Sequence, residues 1–382
     1  MSVLRLAVVG LGKMGLSHLA IANMHPEIEV AAVCEPASYV RGVLRREAAF
    51  PTYGSYEAML GDLDLDAVLI ATPSKTHTEL VTSALERGLH VFCEKPLTLS
   101  PADTEELVEA ARRAGVVTQV GYPNRFIGSF REVKRLLDSG AIGTISSVAG
   151  EAYGPVVLRA KGGTWRSHKS AGGGSLYDYA AHPINLINWY LGEPTGVGGT
   201  ILNSIFSREI DDEVLSTLLY DGGPSARVAV NWSDESCRKM TTRITAWGTG
   251  GRIYADRQEC QVYLRGNAPI PSGYEEGWNV RYTTDLTEPV GFYLRGEEYS
   301  TQIDHFVKRV KKGEVEGLNC FESAAVTDRV IAMMVEDSGK GASTRAAAEP
   351  VQHARLRRSR RLRLPWAKPQ PAHAVGPTET WG

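Results

Sequence analysis

Residues 10–15 read Gly-Leu-Gly-Lys-Met-Gly, between an apolar run at Leu4–Val9 and a stretch of helical periodicity over 13–24. A G-x-G-x-x-G that leaves a strand and opens a helix restricts the fold more than any other feature of this chain. Gly10 permits the tight turn, Gly12 lets backbone approach a pyrophosphate, and Gly15 lets the helix pack close to the strand. Lys13 and Met14 fall at the start of the helix, whose free N–H groups and positive dipole end suit an anion. Glu35 closes the next apolar run, Ile28–Cys34, twenty residues beyond Gly15. A carboxylate there accepts hydrogen bonds from both adenosine ribose hydroxyls and repels a 2′-phosphate, so NAD is expected ahead of NADP. The plainer reading is a surface turn with a chance acid.

Short apolar runs at 67–71, 90–93 and 116–120 alternate with helical stretches at 37–49, 76–87 and 101–114. That rhythm predicts βαβ units and a doubly wound parallel sheet, a dinucleotide-binding Rossmann domain over residues 1–122. After Asn124 the pattern changes. A helix at 128–138, a strand at 144–153, a glycine-rich polar stretch at 159–174 and a helix at 175–191 precede strands at 195–206, 213–220, 226–233, 240–247, 251–255 and 260–264. Strands without intervening helices predict a second α/β domain over 123–339, built on a large, mainly antiparallel open sheet and closed by helices near 296–311 and 321–337.

The 382 residues carry 42 Lys+Arg and 44 Asp+Glu, but unevenly. Residues 340–382 hold nine basic and two acidic side chains, leaving a body of net charge −9. An acidic body argues against nucleic acid as the main ligand, because phosphate binding needs concentrated positive charge. The tail, with Ala-Arg-Leu-Arg-Arg-Ser-Arg-Arg-Leu-Arg-Leu at 354–364, reads as a disordered solvated segment, with a basic amphipathic helix on an anionic surface as the sharper alternative. No apolar run is long enough to span a bilayer, and the chain opens directly into a strand without a signal-peptide pattern. Five scattered cysteines (Cys34, Cys93, Cys237, Cys260, Cys320) form no C-x-x-C pair, which reads as reduced thiols in a cytoplasmic protein. No metal site is expected.

Two clusters carry further chemistry. Glu94-Lys95-Pro96 follows the apolar run at 90–93, and strand carboxyl ends are where open α/β sheets bind ligands. A lysine there donates to a substrate hydroxyl and stabilises a developing alkoxide, unless it is merely a surface Lys–Glu pair. In Gly172-Gly-Gly174-Ser175-Leu-Tyr-Asp178-Tyr-Ala-Ala-His182, Asp178 and His182 are spaced i, i+4 and share one helix face. Histidine suits proton transfer near neutrality, and the acid beside it would orient the imidazole or raise its pKa. The alternative is that Ser175-x-x-Asp178 only caps the helix.

Together with Ala71-Thr72-Pro73-x-x-x-His77, Asn124-Arg125-Phe126 and Trp165-Arg166, these motifs resemble, in this order, the glucose–fructose oxidoreductase / inositol dehydrogenase (Gfo/Idh/MocA) family over about residues 3–338. The resemblance implies NAD(P)-dependent chemistry on a sugar, sugar nucleotide or cyclitol, and a homo-oligomer formed through the open sheet. It makes Lys95, His182 and Asp178 catalytic, with Lys95 binding the hydroxyl and His182 moving the proton. Thr72, Pro73, His77 and Glu94 join the cofactor site, while Arg125, Trp165, Arg166 and Asn185 lie at the substrate. Ala180 stands where many members carry Gly, and Asn185 where many carry Asp. Trp165, Tyr153, Tyr177 and Trp232 are candidate rings for stacking on a sugar, or ordinary core residues.

The leading functional expectation is an NAD-dependent dehydrogenase or ketoreductase of CH–OH groups. The alternatives are an enzyme that retains NAD and oxidises its substrate transiently, as in glycosidase- or epimerase-type chemistry, and a non-catalytic NAD-binding sensor.

Overall fold

The computed structural model describes residues 3–47, 50–159, 166 and 168–342. The early apolar runs form a six-stranded parallel sheet of β1 (Leu4–Val9), β2 (Ile28–Cys34), β3 (Thr52–Tyr53), β4 (Ala67–Ile70), β5 (His90–Glu94) and β6 (Thr118–Gly121). Its order is β3-β2-β1-β4-β5-β6. Helices α1 (Lys13–Met24), α2 (Ser38–Glu47), α3 (Tyr56–Asp62), α4 (His77–Glu86) and α5 (Pro101–Ala114) make the crossovers. All four residues of β4 are buried, which is why such strands read as continuous apolar runs and not as alternation. Strand order reverses between β1 and β4, so their carboxyl ends flank the crevice where this topology binds ligands. Two elements of this first sheet and its helices went unread in the sequence: the two-residue β3, and α3, whose start is capped by Ser55 accepting from the Ala58 N–H.

Beyond α6 (Gly128–Asp138), β7 (Ile145–Tyr153) enters an eight-stranded sheet with β8 (Gly196–Asn203), β9 (Glu213–Leu219), β10 (Ser225–Asn231), β11 (Thr241–Gly248), β12 (Gly251–Ala255), β13 (Glu259–Leu264) and β14 (Gly277–Tyr282). The order is β14-β13-β12-β11-β7-β10-β9-β8, antiparallel except for the parallel β7–β10 pair. One face buries Val148, Ala152, Val228, Val230, Ile244, Ala246, Ile253 and Val262. The other face is open and carries Tyr263 with its ring centroid 5.3 Å from that of Trp278 and tilted 57° to it, with Val280 and Tyr282 also exposed.

The expected helix over 175–191 divides into a π turn, Leu176–Ala180, and α7 (Ala181–Leu191). Pro183 lies inside that run; it lacks an N–H, and its ring crowds the carbonyl four residues back, so regular α register does not pass through. After the short α8 (Thr283–Leu286) come α9 (Glu297–Lys312) and α10 (Phe321–Ala342). Contrary to expectation, α9 does not simply close the second sheet. Ile303, Phe306 and Val307, an i, i+3, i+4 stripe, join Leu6, Leu19 and Phe92 in the core of the first.

Among the described residues no helix is long and apolar enough to cross a membrane. The five cysteines form no disulfide. The basic run at 354–364 lies outside the described residues.

Candidate active site

The three glycines of the first turn do different work. Gly10 has φ +87°, and a Cβ there would meet the Ala71 carbonyl at 2.9 Å; a Cβ on Gly15 would meet the Gly10 carbonyl at 1.9 Å. The protein's own packing therefore requires both. A Cβ on Gly12 would meet no protein atom within 4 Å, so this glycine answers to no neighbour within the chain. That is the position where backbone must come close to a pyrophosphate, beside the N–H groups of α1. Lys13 is exposed and Met14 half-buried at the same turn. Glu35 follows β2 with its carboxylate accepting from the N–H of Leu11 at 2.8 Å and of Ala37 at 2.9 Å. These residues fit a dinucleotide.

Across the crevice, Thr72 and Pro73 follow β4. His77 is buried, with Nε2 at 3.0 Å from the Thr72 carbonyl and Nδ1 at 2.9 Å from the Pro96 carbonyl. Its imidazole braces the loop after β4 against the loop after β5, and burial lowers its pKa. Glu94 and His18 form a pair no sequence signal revealed: His18 Nε2 lies 2.6 Å from Glu94 Oε1. Glu94 Oε2 accepts the Lys95 N–H at 3.1 Å. Burial alone would raise the Glu94 pKa, but the His18 hydrogen bond and charge, with Lys95, leave it below its ordinary value.

Lys95 Nζ donates to the Asp178 carbonyl at 2.8 Å and to Asp178 Oδ1 at 2.9 Å. Arg166 Nε takes the other oxygen, Oδ2, at 3.0 Å. Burial pushes the Asp178 carboxyl up, but these two cations outweigh it and hold the group well below the usual carboxylate range. The structure thus brings Lys95, Asp178, Arg166 and His182 into one cluster. Asp178 does not orient the imidazole through a hydrogen bond, since its carboxylate oxygens are held by Lys95 and Arg166, but its charge acts to raise the His182 pKa. Burial first, then the Lys95 charge, push His182 down to about 3, with Asp178 pulling weakly the other way. Its buried Nδ1 has no hydrogen-bond partner. The result is a neutral imidazole carrying one unpartnered nitrogen beside a fixed ammonium.

Asp178 is not a helix cap. Ser175 Oγ instead donates to Asp211 Oδ2 at 2.8 Å, and the Leu176 N–H reaches the same oxygen at 2.6 Å. Asp211, from the β8–β9 connection, thereby pins the start of the π turn. Gly174 admits it: φ is +114°, and a Cβ there would meet Asp211 Oδ1 at 2.5 Å. Nothing local in the sequence announces an anchor 36 residues away.

Other expected residues have interior partners. Arg125 is buried, donating to the Asn185 carbonyl at 2.9 Å and to Ser323 at 2.6 Å, with its guanidinium 5.7 Å from the Trp189 ring. Burial lowers its pKa to about 10. Asn185 donates to Thr327 at 3.2 Å. Both therefore tie α7 to its surroundings, while Arg125 Nε and Asn185 Oδ1 are buried without a hydrogen-bond partner. Trp232 is a core residue donating to Asp212 at 2.7 Å, and Tyr153 donates to Glu151 on the open face of the sheet. Trp165 lies outside the described residues.

The oxidoreductase family with an NAD-binding Rossmann fold matches residues 4–122, and the GFO/IDH/MocA C-terminal domain matches residues 130–254. The chain belongs to the GFO/IDH/MocA oxidoreductases. Over 268 residues it is 30% identical to the 2,7-anhydro-N-acetylneuraminate hydratase of Escherichia coli (strain K12), covering 68% of this chain and 69% of that one. Over 258 residues it is 30% identical to the scyllo-inositol 2-dehydrogenase (NAD(+)) of Bacillus subtilis (strain 168), covering 65% and 73%. A solved levoglucosan dehydrogenase in complex with NADH and L-sorbose shares the fold of this oxidoreductase at a TM-score of 0.79 and 22% identity, covering 89% and 98%.

Proposed function

We propose that this oxidoreductase transfers a hydride between NAD and a secondary hydroxyl or ketone of a sugar, sugar nucleotide or cyclitol. The observation that carries the reading is the Lys95–Asp178 pair beside a neutral His182, next to the crevice that fits a dinucleotide. NAD, when bound, supplies the hydride acceptor. In alcohol oxidation the hydroxyl must lose a proton as the carbon loses hydride. Lys95 has three N–H donors, two of which are held by Asp178. The third is directed to the substrate oxygen, where the ammonium stabilises the developing alkoxide. His182, neutral, receives the proton; the negative charge arriving with the alkoxide offsets the burial that holds its pKa down. Asp178 stays ionised throughout and keeps Lys95 and Arg166 in place. Glu35, closed off by two backbone donors, favours a free ribose 2′-hydroxyl and thus NAD.

A second reading is favoured by one observation. The hydratase relative carries out, by its name, a reaction without net oxidation. The same residues would serve an enzyme that retains NAD and oxidises its substrate transiently, since a ketone acidifies the adjacent C–H. Screening sugars and cyclitols for NADH formation at 340 nm tests the first reading. Product formed without stoichiometric NADH supports the second, and NAD binding without turnover of any polyol leaves neither standing.

The open sheet face with Tyr263, Trp278, Val280 and Tyr282 supports self-association through that surface.

A further inference from the structure

We infer that Pro183 is a positioning residue, which keeps the backbone carbonyl of Asp178 open to Lys95; this rests on the role given to Lys95 above. A continuous α-helix through this segment would hand the carbonyls of Asp178 and Tyr179 to the N–H groups of residues 182 and 183. The wider π register would hand the Asp178 carbonyl to residue 183. In either register residue 183 is a donor, and here it is proline, with no N–H to give.

The structure shows what takes its place. Residues Leu176–Ala180 run as a π turn directly before α7, and Lys95 Nζ donates to the Asp178 carbonyl at 2.8 Å. Lysine thus gives the Asp178 carbonyl a donor that residue 183 cannot supply. The second hold, from Nζ to Asp178 Oδ1 at 2.9 Å, comes from the same residue, so carbonyl and carboxylate form a two-point seat for one ammonium. A seat made of the carboxylate alone would let the ammonium pivot about one contact. With two contacts its third N–H has a fixed direction. Asp211 fixes the beginning of the turn through the Leu176 N–H at 2.6 Å, and Pro183 acts at its end, in the first turn of α7 where proline is tolerated.

The test is Pro183→Ala, which returns an N–H to position 183 without altering a side chain that touches Lys95. The expected crystal structure has residues 176–180 drawn into α register and Lys95 Nζ beyond 3.5 Å from the Asp178 carbonyl. A π turn and a 2.8 Å contact that persist in the variant overturn the inference. In kinetics, kcat should fall by about 10- to 100-fold, the usual effect of a small misplacement at the reacting centre. NADH affinity should stay within about two-fold and the melting temperature within a few degrees, as alanine is well accommodated in a helix. Loss of the contact with kcat unchanged also overturns it. If Pro183→Ala does not fold, Pro183→Ser restores the same N–H and is read in the same way. If wild-type protein oxidises no polyol, it is the functional reading that fails, and the crystallographic comparison still decides whether proline keeps the carbonyl open.

Discussion

The carboxylate of Glu35 accepts the backbone N–H of Leu11 at 2.8 Å, which fixes an acid from the end of β2 against the glycine turn after β1. Arg41, a cation of α2, donates to the carbonyls of Glu35 at 2.7 Å and Pro36 at 2.6 Å. Its guanidinium is thus held by main-chain oxygens and not by the Glu35 carboxylate.

Wild-type protein should therefore bind NAD more tightly than NADP, and Glu35→Ser should narrow the gap. Fluorescence titration with NADH and NADPH measures both. Tighter binding of NADPH by the wild type would sink the role given to Glu35.

His182→Ala should lower turnover by about 10²–10⁴-fold, the usual worth of a general base, and Lys95→Ala by a similar amount. Both variants should bind NADH within a few-fold of wild type, because neither residue belongs to the glycine turn. Because burial holds the imidazole down to about 3, its C2 proton resonance should not titrate between pH 5 and 8 in the free enzyme. A His182→Ala variant with raised KM but intact kcat would show that the imidazole only binds substrate.

Asp328 predicts a pH dependence of stability. It is fully enclosed beside Thr104, whose hydroxyl donates to it at 3.0 Å, and burial raises its pKa to about 7. Between its unfolded value near 4 and about 7, the folded protein holds a proton that the unfolded chain releases. Stability from this group is thus present at low pH and lost as pH rises through about 7, by an amount on the order of a few kcal/mol. Asp328→Asn should melt higher than wild type at pH 8.5, and the difference should shrink at pH 5. A constant difference across that range would contradict the assignment.

Trp278 is 61% exposed on the open sheet, next to Tyr263 and in line with Val280 and Tyr282. Sedimentation velocity should find the wild type associated and Trp278→Glu shifted toward monomer. A monomeric wild type at micromolar concentration would remove the sheet face as an interface.

Much of this arrangement was legible in the sequence because it rests on local rules. Buried parallel strands announce themselves as apolar runs, and α5 is bounded by Ser100, Pro101 and Gly115, with the glycine at φ +65°. The strand β14 was missed because its exposed face carries the large side chains, Trp278, Val280 and Tyr282, reversing the usual alternation. The π turn was missed because the apolar periodicity of 175–191 outweighed the one contrary residue, Pro183. At the site, Lys95, Asp178, Arg166 and His182 were named by motif, but the anchors of the segments around them, Asp211 on Ser175 and Leu176 and His18 on Glu94, were not. Asp211 and His18 reach their positions through tertiary packing, and a residue's identity does not record a neighbour 36 or 76 positions away. Arg125 and Asn185 show the same limit. Both were named from the motifs as substrate-side residues, and their hydrogen bonds to α7 and α10 were not legible in the sequence.

The central strand of the second sheet, β7, is made early and finds its neighbours late. It pairs with β10 on one side and β11 on the other, and the nearer of these begins about 70 residues further along the chain. At typical elongation rates of about 5–20 residues per second, β7 waits several seconds on the ribosome with both edges unpaired. The helix that carries His182 emerges during that interval, before the surface that will hold it exists. His182, the elements around it and the sheet must therefore assemble together, after most of the second sheet has been synthesised. A nascent chain stalled at about residue 215 would already contain Lys95, Asp178 and His182 and yet have no active site.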